Sequence, residues 1–480
     1  MLVSIALLKY FMCMAELKAV EGQVVTEAAS QPKPAYFLSL SVENVRCFRT
    51  EQTLDISDGN GRPSRWTIIL GNNGVGKTTL LQCLAGMQPT PQVIENPKGP
   101  SLTFVPRVFT KFPLRDSWHL LRQSENTPSR FVSKVALGAR LVDTTSPTRE
   151  VAMQTAFQQN NTSCSSVQTQ DDVAGLVCYG YGASRRLSAT SLSESKQDDG
   201  CASLFDESIG LINAEEWLLQ ADYAAAKALT DSALPDIARK RRDDIVGILV
   251  KILPDISDIK IESPKDGKGL PLVTVKTPYG WVPLRRLSSG YRSLLAWIVD
   301  LASRMYDRYP GSSDPLAEPA VVLIDQIDLH LHPKWQRDLM TFLAERFPNT
   351  QFIVTAHSPL FVQAALGANI SVLRRDGDHV VIDKNPENIR GWRIDQIYTS
   401  DLFGLEGTRD RNTEDLLNMR RTILAKPKLS DQDVESLADL ESQLDHLPMG
   451  ETRADSEAME LIRSAARRLR EQQPKNDKNR

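Results

Sequence analysis

Residues 71–79 read GNNGVGKTT and fit the pattern G-x-x-x-x-G-K-[ST] without a mismatch. Its glycines let successive backbone N–H groups turn inward into a concave cradle for phosphates. Lys77 adds a positive charge that reaches the terminal ones, and Thr78 supplies a hydroxyl of the kind that ligates Mg²⁺. The stretch sits between the apolar run RWTIIL (65–70) and the helical TTLLQCLAG (78–86), so the local order is strand, loop, helix. The helix opening at Thr78 turns its positive N-terminal end toward the same place. A glycine-rich turn with no ligand is the bland alternative, and this context argues against it. The cradle residues are therefore Asn73, Gly74, Gly76, Lys77, Thr78 and Thr79.

Such a loop does not separate kinases, GTPases, helicases and ABC-type ATPases. Three later stretches do. RRLSSGYRS (285–293) resembles the ABC signature LSGGQ, with Leu287, Ser288, Ser289 and Gly290 in register and Tyr291 in place of the glutamine. Alone it reads as a helix cap; its place about 35 residues before the next motif favours a ligand role, since Ser hydroxyls at a helix N-terminus suit a polyanion. VVLIDQIDLHLHP (321–333) is an apolar strand ending in Asp325, which reads as a Walker B carboxylate for Mg²⁺. His357 ends the strand in VTAHSP (354–359), near the expected γ-phosphate. His330 and His332 have no third ligand at metal spacing and read as a loop and a helix-start residue.

Order and wording resemble the SMC/RecF-like branch of ABC ATPases, carried by LSVENVRCF, GNNGVGKTTLL, LSSGYRSLLAWIVDLA, IDQIDLHLHPKWQ and FIVTAHSP. Within that branch, CYGYGASRR, IYTSDLFGLEGTRD and the C-terminal helices are similar to compact ATPases of bacterial anti-phage defence, the PtuA subunits of Septu and retron-associated systems. The resemblance covers about residues 36–470. It implies an α/β fold: an ABC-type P-loop NTPase head of mixed β-sheet with helices, a helical and loop insertion, and an α-helical C-terminal extension. It also implies ATP and Mg²⁺ as cofactors, with Thr78 and Asp325 on the metal. The chemical residues are Lys77, Asp325, Gln326 and His357, while Ser288, Ser289 and Gly290 face the nucleotide of an opposite subunit. A head-to-tail homodimer or higher oligomer follows, with a separate effector nuclease, of HNH type, and DNA as further candidate partners. The alternative is an autonomous RecF-like ATPase of DNA repair or maintenance.

The departures matter as much. Gln326 stands where the relatives' Glu works on the attacking water. A glutamine amide can orient water but accepts no proton, so slow turnover is expected; loss of a general base costs on the order of 10²–10⁴ in rate. The glutamine of the Q-loop is not placed within 105–180. Long coiled-coil arms and an acidic cluster after His357 are missing, which argues against a true SMC protein and against a fused nuclease.

The 480 residues set the organisation. Residues 1–34 read as a disordered tail or a mis-assigned start, with Met12 or Met14 as the true first residue. The ATPase domain spans 35–400 with its insertion at about 105–275. A helical partner-binding region occupies 401–470, and 471–480 read as a disordered tail. DTTSPTREVAMQTAFQQNNTSCSSVQTQ, about 144–172, has the composition of a loop. The net charge of −3 gives no global pull on nucleic acid, so DNA contact falls to the local runs RKRR (239–242) and RSAARRLR (463–470). Six scattered cysteines without a CxxC pair suit a reducing cytosol. The apolar opening MLVSIALLKYFMCM is shorter than the about 20 residues of a membrane span.

Overall fold

The apolar runs of the sequence become the central strands of one sheet. The computed structural model describes residues 33–96, 99–107, 129–142, 149–157, 173–187, 199–227, 235–253, 255–262, 271–365, 367–383, 391–400, 402–405, 409–427 and 429–444. Two compact units result, Met1–Phe403 and Gly404–Arg480. In the first, β1 (Ala35–Glu43), β2 (Gln52–Asp55), β3 (Trp66–Gly71) and α1 (Lys77–Gly86) come first in the chain. The hairpin β4 (Pro89–Asn96) and β5 (Gly99–Pro106) follows, then β6 (Ser129–Leu137), β7 (Arg149–Phe157) and β8 (Cys178–Tyr181).

Helices α2 (Ala214–Lys227) and α3 (Pro235–Ile252) precede a three-stranded sheet of β9 (Asp258–Glu262), β10 (Leu272–Thr277) and β11 (Gly280–Pro283). Next come α4 (Ser289–Arg308), β12 (Ala320–Ile324), α5 (Pro333–Arg346) and β13 (Thr350–Thr355). The short helix α6 (Pro359–Ala364), β14 (Asn369–Asp376), β15 (His379–Asp383) and the short helix α7 (Ile394–Thr399) complete the unit.

Six strands form the main sheet in the order β15-β14-β3-β13-β12-β8, all neighbours parallel except β14 and β15. Every residue of β12 and β13 is buried, which explains their unbroken apolar reading: a parallel sheet covered on both faces needs no polar alternation. Alternate side chains then feed two cores. Ile68, Val322, Ile324, Phe352 and Val354 join the core under α2, α3, α4 and α5, where Trp66 stacks on Phe352 at 4.4 Å between ring centroids. Ile69, Val321, Leu323 and Ile353 join the other, against Leu80, Leu81 and Leu84 of α1. The registers Ile324↔Tyr181, Ile324↔Val354 and Thr355↔Ile69 bring the carboxyl ends of β8, β12, β13 and β3 to one edge. Parallel sheets bind ligands at that edge.

An antiparallel sheet of order β2-β1-β6-β7 lies on the α1 side. Buried Gln351 joins it to β13: its Oε1 accepts from Phe37 N at 3.0 Å and its Nε2 donates to Phe37 O at 2.9 Å. No helix among the described residues is long and apolar enough to cross a membrane.

Several local expectations change. The polar stretch expected as a loop contains β7, which pairs with β6 along its length and buries Val151 and Met153 at alternate positions. The segment expected as a helical and loop insertion thus also supplies β6, β7 and the main-sheet strand β8. Asn213 Oδ1 accepts from Glu215 N and Glu216 N and caps the start of α2 at Ala214. Pro235 opens α3, the position where its missing N–H costs nothing. Strands β10 and β11 fold back on each other through Thr277-Pro278-Tyr279-Gly280.

The second unit, described through Leu444, holds α8 (Arg411–Leu424) and α9 (Asp431–Leu444), which pack on each other and share the Arg420–Glu441 ion pair. Ser430 and Asp433 cap α9 reciprocally, as their spacing predicts: Ser430 Oγ accepts from Asp433 N at 3.2 Å and Asp433 Oδ2 accepts from Ser430 N at 3.0 Å. The tail 1–32, most of 108–172, the third C-terminal segment SEAMELIRSAARRL with its basic run, and the tail 471–480 lie outside the described residues.

Candidate nucleotide site

Positive φ at Gly71 (141°), Gly74 (79°) and Gly76 (89°) curls the loop between β3 and α1. Gly76 also has no room for a side chain: a Cβ there would lie 2.5 Å from Cys47 Sγ and 2.9 Å from the Phe48 ring. Lys77 Nζ folds into the loop and donates to Gly71 O at 2.7 Å and Asn72 O at 2.9 Å. Burial lowers its pKa from the usual lysine value, and Asp325 and Asp328 oppose that shift. Arg46, from the turn after β1, donates to Thr79 Oγ1 at 3.1 Å.

Asp325 follows β12 and is buried. Thr78 Oγ1 donates to its Oδ2 at 2.7 Å and Thr355 Oγ1 to its Oδ1 at 2.6 Å. Thr355 Oγ1 in turn accepts from Gln326 N at 2.7 Å, so one hydroxyl from β13 fixes both the carboxylate and the next peptide. Gln326 has φ 49°, a left-handed conformation that costs a non-glycine residue about 1–2 kcal/mol. His330, at φ 64°, closes the same turn. Asp328 Oδ2 accepts from His357 N at 2.9 Å, and buried Gln336 on α5 donates to Leu331 O at 3.0 Å while accepting from Ser358 Oγ. The turn is therefore held from β13, from the His357 segment and from α5.

Sequence reasoning missed Arg185. It follows β8, is 3% exposed, has φ 33°, and donates from Nη2 to Gln326 O at 2.7 Å. Burial pushes its pKa down to about 10 against the pull of Asp325 and Asp328, which leaves it a cation at neutral pH. The available signal was the quoted CYGYGASRR, a glycine-rich strand end running into two arginines. Gln336 was equally silent, being one polar residue on an amphipathic helix. Burial, followed by the nearby Lys77 charge, lowers the His357 pKa below 6.5, so its imidazole is neutral at pH 7.

Of the expected residues, Lys77, Thr78, Asp325, Gln326 and His357 come together. Ser288, Ser289 and Gly290 open α4 at a second place, against the turn after Asp325. A Cβ on Gly290 would meet His330 O at 2.5 Å, which explains the glycine there, and Tyr291 packs edge-on to Trp335 at 4.7 Å. His332 is the helix-start residue expected: its Nδ1 accepts from Lys334 N at 3.3 Å and caps α5. In the run 239–242 the charges are largely engaged within the fold. Arg241 contacts Ser303, Asp307 and the rings of Trp217 and Tyr306, Arg242 pairs with Asp222 and Asp243, and Lys240 donates to Ser313 O. That weakens its case as a DNA contact.

The oxygens of Thr78 and Asp325, in contact at the mouth of the cradle, fit a hard cation that takes few protein ligands and shares phosphate oxygens. Parts of the chain are similar in sequence to known proteins. Residues 213–363 match a family described as "AAA domain, putative AbiEii toxin, Type IV TA system", and residues 39–87 match one described as "AAA domain". These two segments carry α4 through His357 and the P-loop. Retron Ec83 probable ATPase of Escherichia coli is 31% identical over 200 residues, 41% of this chain and 34% of that protein. Septu protein PtuA of Bacillus mycoides (strain KBAB4) is 22% identical over 419 residues, 86% of this chain and 51% of that protein. The alignments thus span about half or less of these relatives' length. Among solved structures, an SMC head bound to the C-terminal winged-helix domain of ScpA aligns with a TM-score of 0.40 at 14% identity, covering 72% of this chain and 97% of that one. The chain is related to the ATPases of Septu and retron defence systems and has a P-loop ATPase fold.

Proposed function

We propose that this chain binds ATP with Mg²⁺, hydrolyses it slowly, pairs head to tail with a second copy in the ATP-bound state, and in that state controls a separately encoded effector nuclease in anti-phage defence. The observation that carries the nucleotide part is the relay Thr78–Asp325–Thr355–Gln326, which joins the P-loop to the peptide of Gln326, the residue read as acting on water. Phosphoryl transfer is catalysed mainly by positioning and charge stabilisation. Lys77 and the loop N–H groups would hold the terminal phosphates, and Thr78 and Asp325 would hold the metal, which would neutralise phosphate charge. Gln326 orients the attacking water without taking its proton, and neutral His357 is the group to which the proton would pass.

Pairing would set Ser288, Ser289 and Gly290 of one copy against the phosphates of the other. The second unit supports a partner-holding role: no residue of α8 is buried, and Met419, Leu424 and Val434 leave apolar side chains at the surface. The test is the mass of the purified protein with and without ATP and Mg²⁺, joined to co-purification with the product of a neighbouring nuclease gene. ATP-dependent doubling and a stoichiometric nuclease support the proposal. An unchanged mass contradicts the pairing, and tight DNA binding by the protein alone, with no nuclease, would favour the RecF-like alternative.

A further inference from the structure

Asp300, midway along α4, is fully buried and belongs to none of the contacts described above. Its Oδ2 accepts from Arg304 Nε at 2.6 Å and from the Tyr181 hydroxyl at 3.0 Å, while Oδ1 faces Ile212 N at 3.5 Å. Burial works against the Arg304 charge, yet the adjacent carboxylate holds its pKa above the usual arginine value. Burial, then Asp300, raises the Tyr181 pKa, so the phenol stays protonated and remains the donor. A buried ion pair is a poor source of stability, since apolar side chains of similar volume often serve as well or better. The pair is better explained by what it holds.

What it holds is the last residue of β8. Tyr181 is fully buried, with its ring 5.8 Å from that of Trp297. Its carbonyl accepts from Asp325 N at 2.8 Å, in the register Ile324↔Tyr181. Four residues on, Arg185 Nη2 donates to Gln326 O. The end of β8 thus touches the main chain before and after the Asp325–Gln326 peptide. An apolar side chain at 181 would fill the same core; the hydroxyl adds a directional bond to α4.

We infer that Tyr181 is a positioning residue for Asp325: its hydroxyl anchors the end of β8 on the Asp300–Arg304 pair, and its carbonyl fixes the Asp325 backbone and so the place of the carboxylate that would meet Mg²⁺. The metal role rests on the function proposed above; the mechanical link does not. Thr78 and Thr355 orient the two carboxylate oxygens from the P-loop and from β13. Tyr181 adds a constraint on the main chain from β8, on the other side of β12.

The test compares the full chain with two variants. Tyr181→Phe keeps the ring and removes the hydroxyl. The triple variant Tyr181→Phe, Asp300→Leu, Arg304→Met replaces the whole polar cluster with apolar side chains and should melt at or above the parent temperature. Backbone hydrogen exchange reads the link directly. In both variants, protection of residues 321–330 should fall about tenfold, the scale of one hydrogen bond to a charged group, with β3 little changed. The magnesium concentration for half-maximal ATP turnover should rise by about the same factor, with metal-free nucleotide affinity unchanged. Protection at 321–330 equal to the parent's overturns the inference. So does a loss spread evenly over the sheet, which a purely structural role would give. A local loss with an unshifted magnesium requirement also overturns it, because Asp325 then keeps its place. If the parent binds no ATP, the proposed function fails, and the exchange result alone decides whether Tyr181 holds Asp325.

Discussion

The P-loop, residues 71–79, and the turn 325–330 meet at Asp325, yet they achieve their backbone shapes by opposite means. The P-loop places its left-handed conformations on Gly71, Gly74 and Gly76, where they are nearly free of strain. The turn places them on Gln326 and His330, and holds them from outside through Thr355, Arg185, Gln336 and the His357 segment. A shape encoded locally needs only its own residues. A shape imposed by the tertiary structure can store strain and respond to whatever touches its supports. The first suits a constant task, holding phosphates, and the second suits a state that changes.

Substitutions that separate the two kinds of region sharpen this contrast. The largest effect belongs to Lys77→Ala, which removes the charge inside the cradle and should weaken nucleotide binding more than about 100-fold, the scale of a lost buried charge–phosphate contact. A titration with a fluorescent nucleotide reads it, and stability should change little by comparison. Thr355→Val keeps the shape but strips Gln326 N and Asp325 Oδ1 of their partner. Chemical denaturation should show a loss of about 2–4 kcal/mol for the two orphaned groups. If stability is unchanged, the turn is not held from β13.

Gly290→Ala should cost about 1–3 kcal/mol, since its new methyl group must push the His330 carbonyl aside, and it should weaken ATP-dependent association at the same time. The smallest effect concerns pH. The folded-state pKa of His357 lies below its unfolded value, so the unfolded chain takes up a proton first and stability declines as pH falls below about 6.5. Melting temperatures measured from pH 7.5 to 5.5 should fall less for His357→Gln than for the parent.

The same contrast explains what was legible in the sequence. The P-loop, the buried strands and α4 were readable because glycine spacing, apolar runs and helical periodicity carry their own geometry. Asp325 and His357 were readable from their place at strand ends. Arg185 was not, because its role depends on β8 lying beside β12, a pairing between residues more than a hundred positions apart. Gln351 was hidden for the same reason, since it satisfies backbone groups of the distant β1, and Gln336 was hidden because its bonds to Leu331 O and Ser358 Oγ arise only once α5 packs on the turn. In β7, Val151 and Met153 alternate with Glu150, Ala152 and Gln154, a pattern too short to stand out within a Ser-, Thr- and Gln-rich stretch.

Under the proposed function, Gln326 makes this site a holder of ATP more than a consumer of it. Steady-state ATP turnover of Gln326→Glu, compared with the parent protein under identical conditions, tests it most directly. A proton-accepting carboxylate in place of the amide should raise kcat by on the order of 10²–10⁴ with KM little changed. A ratio near one, with the parent already turning over at the rate of an ordinary ATPase, would contradict the account.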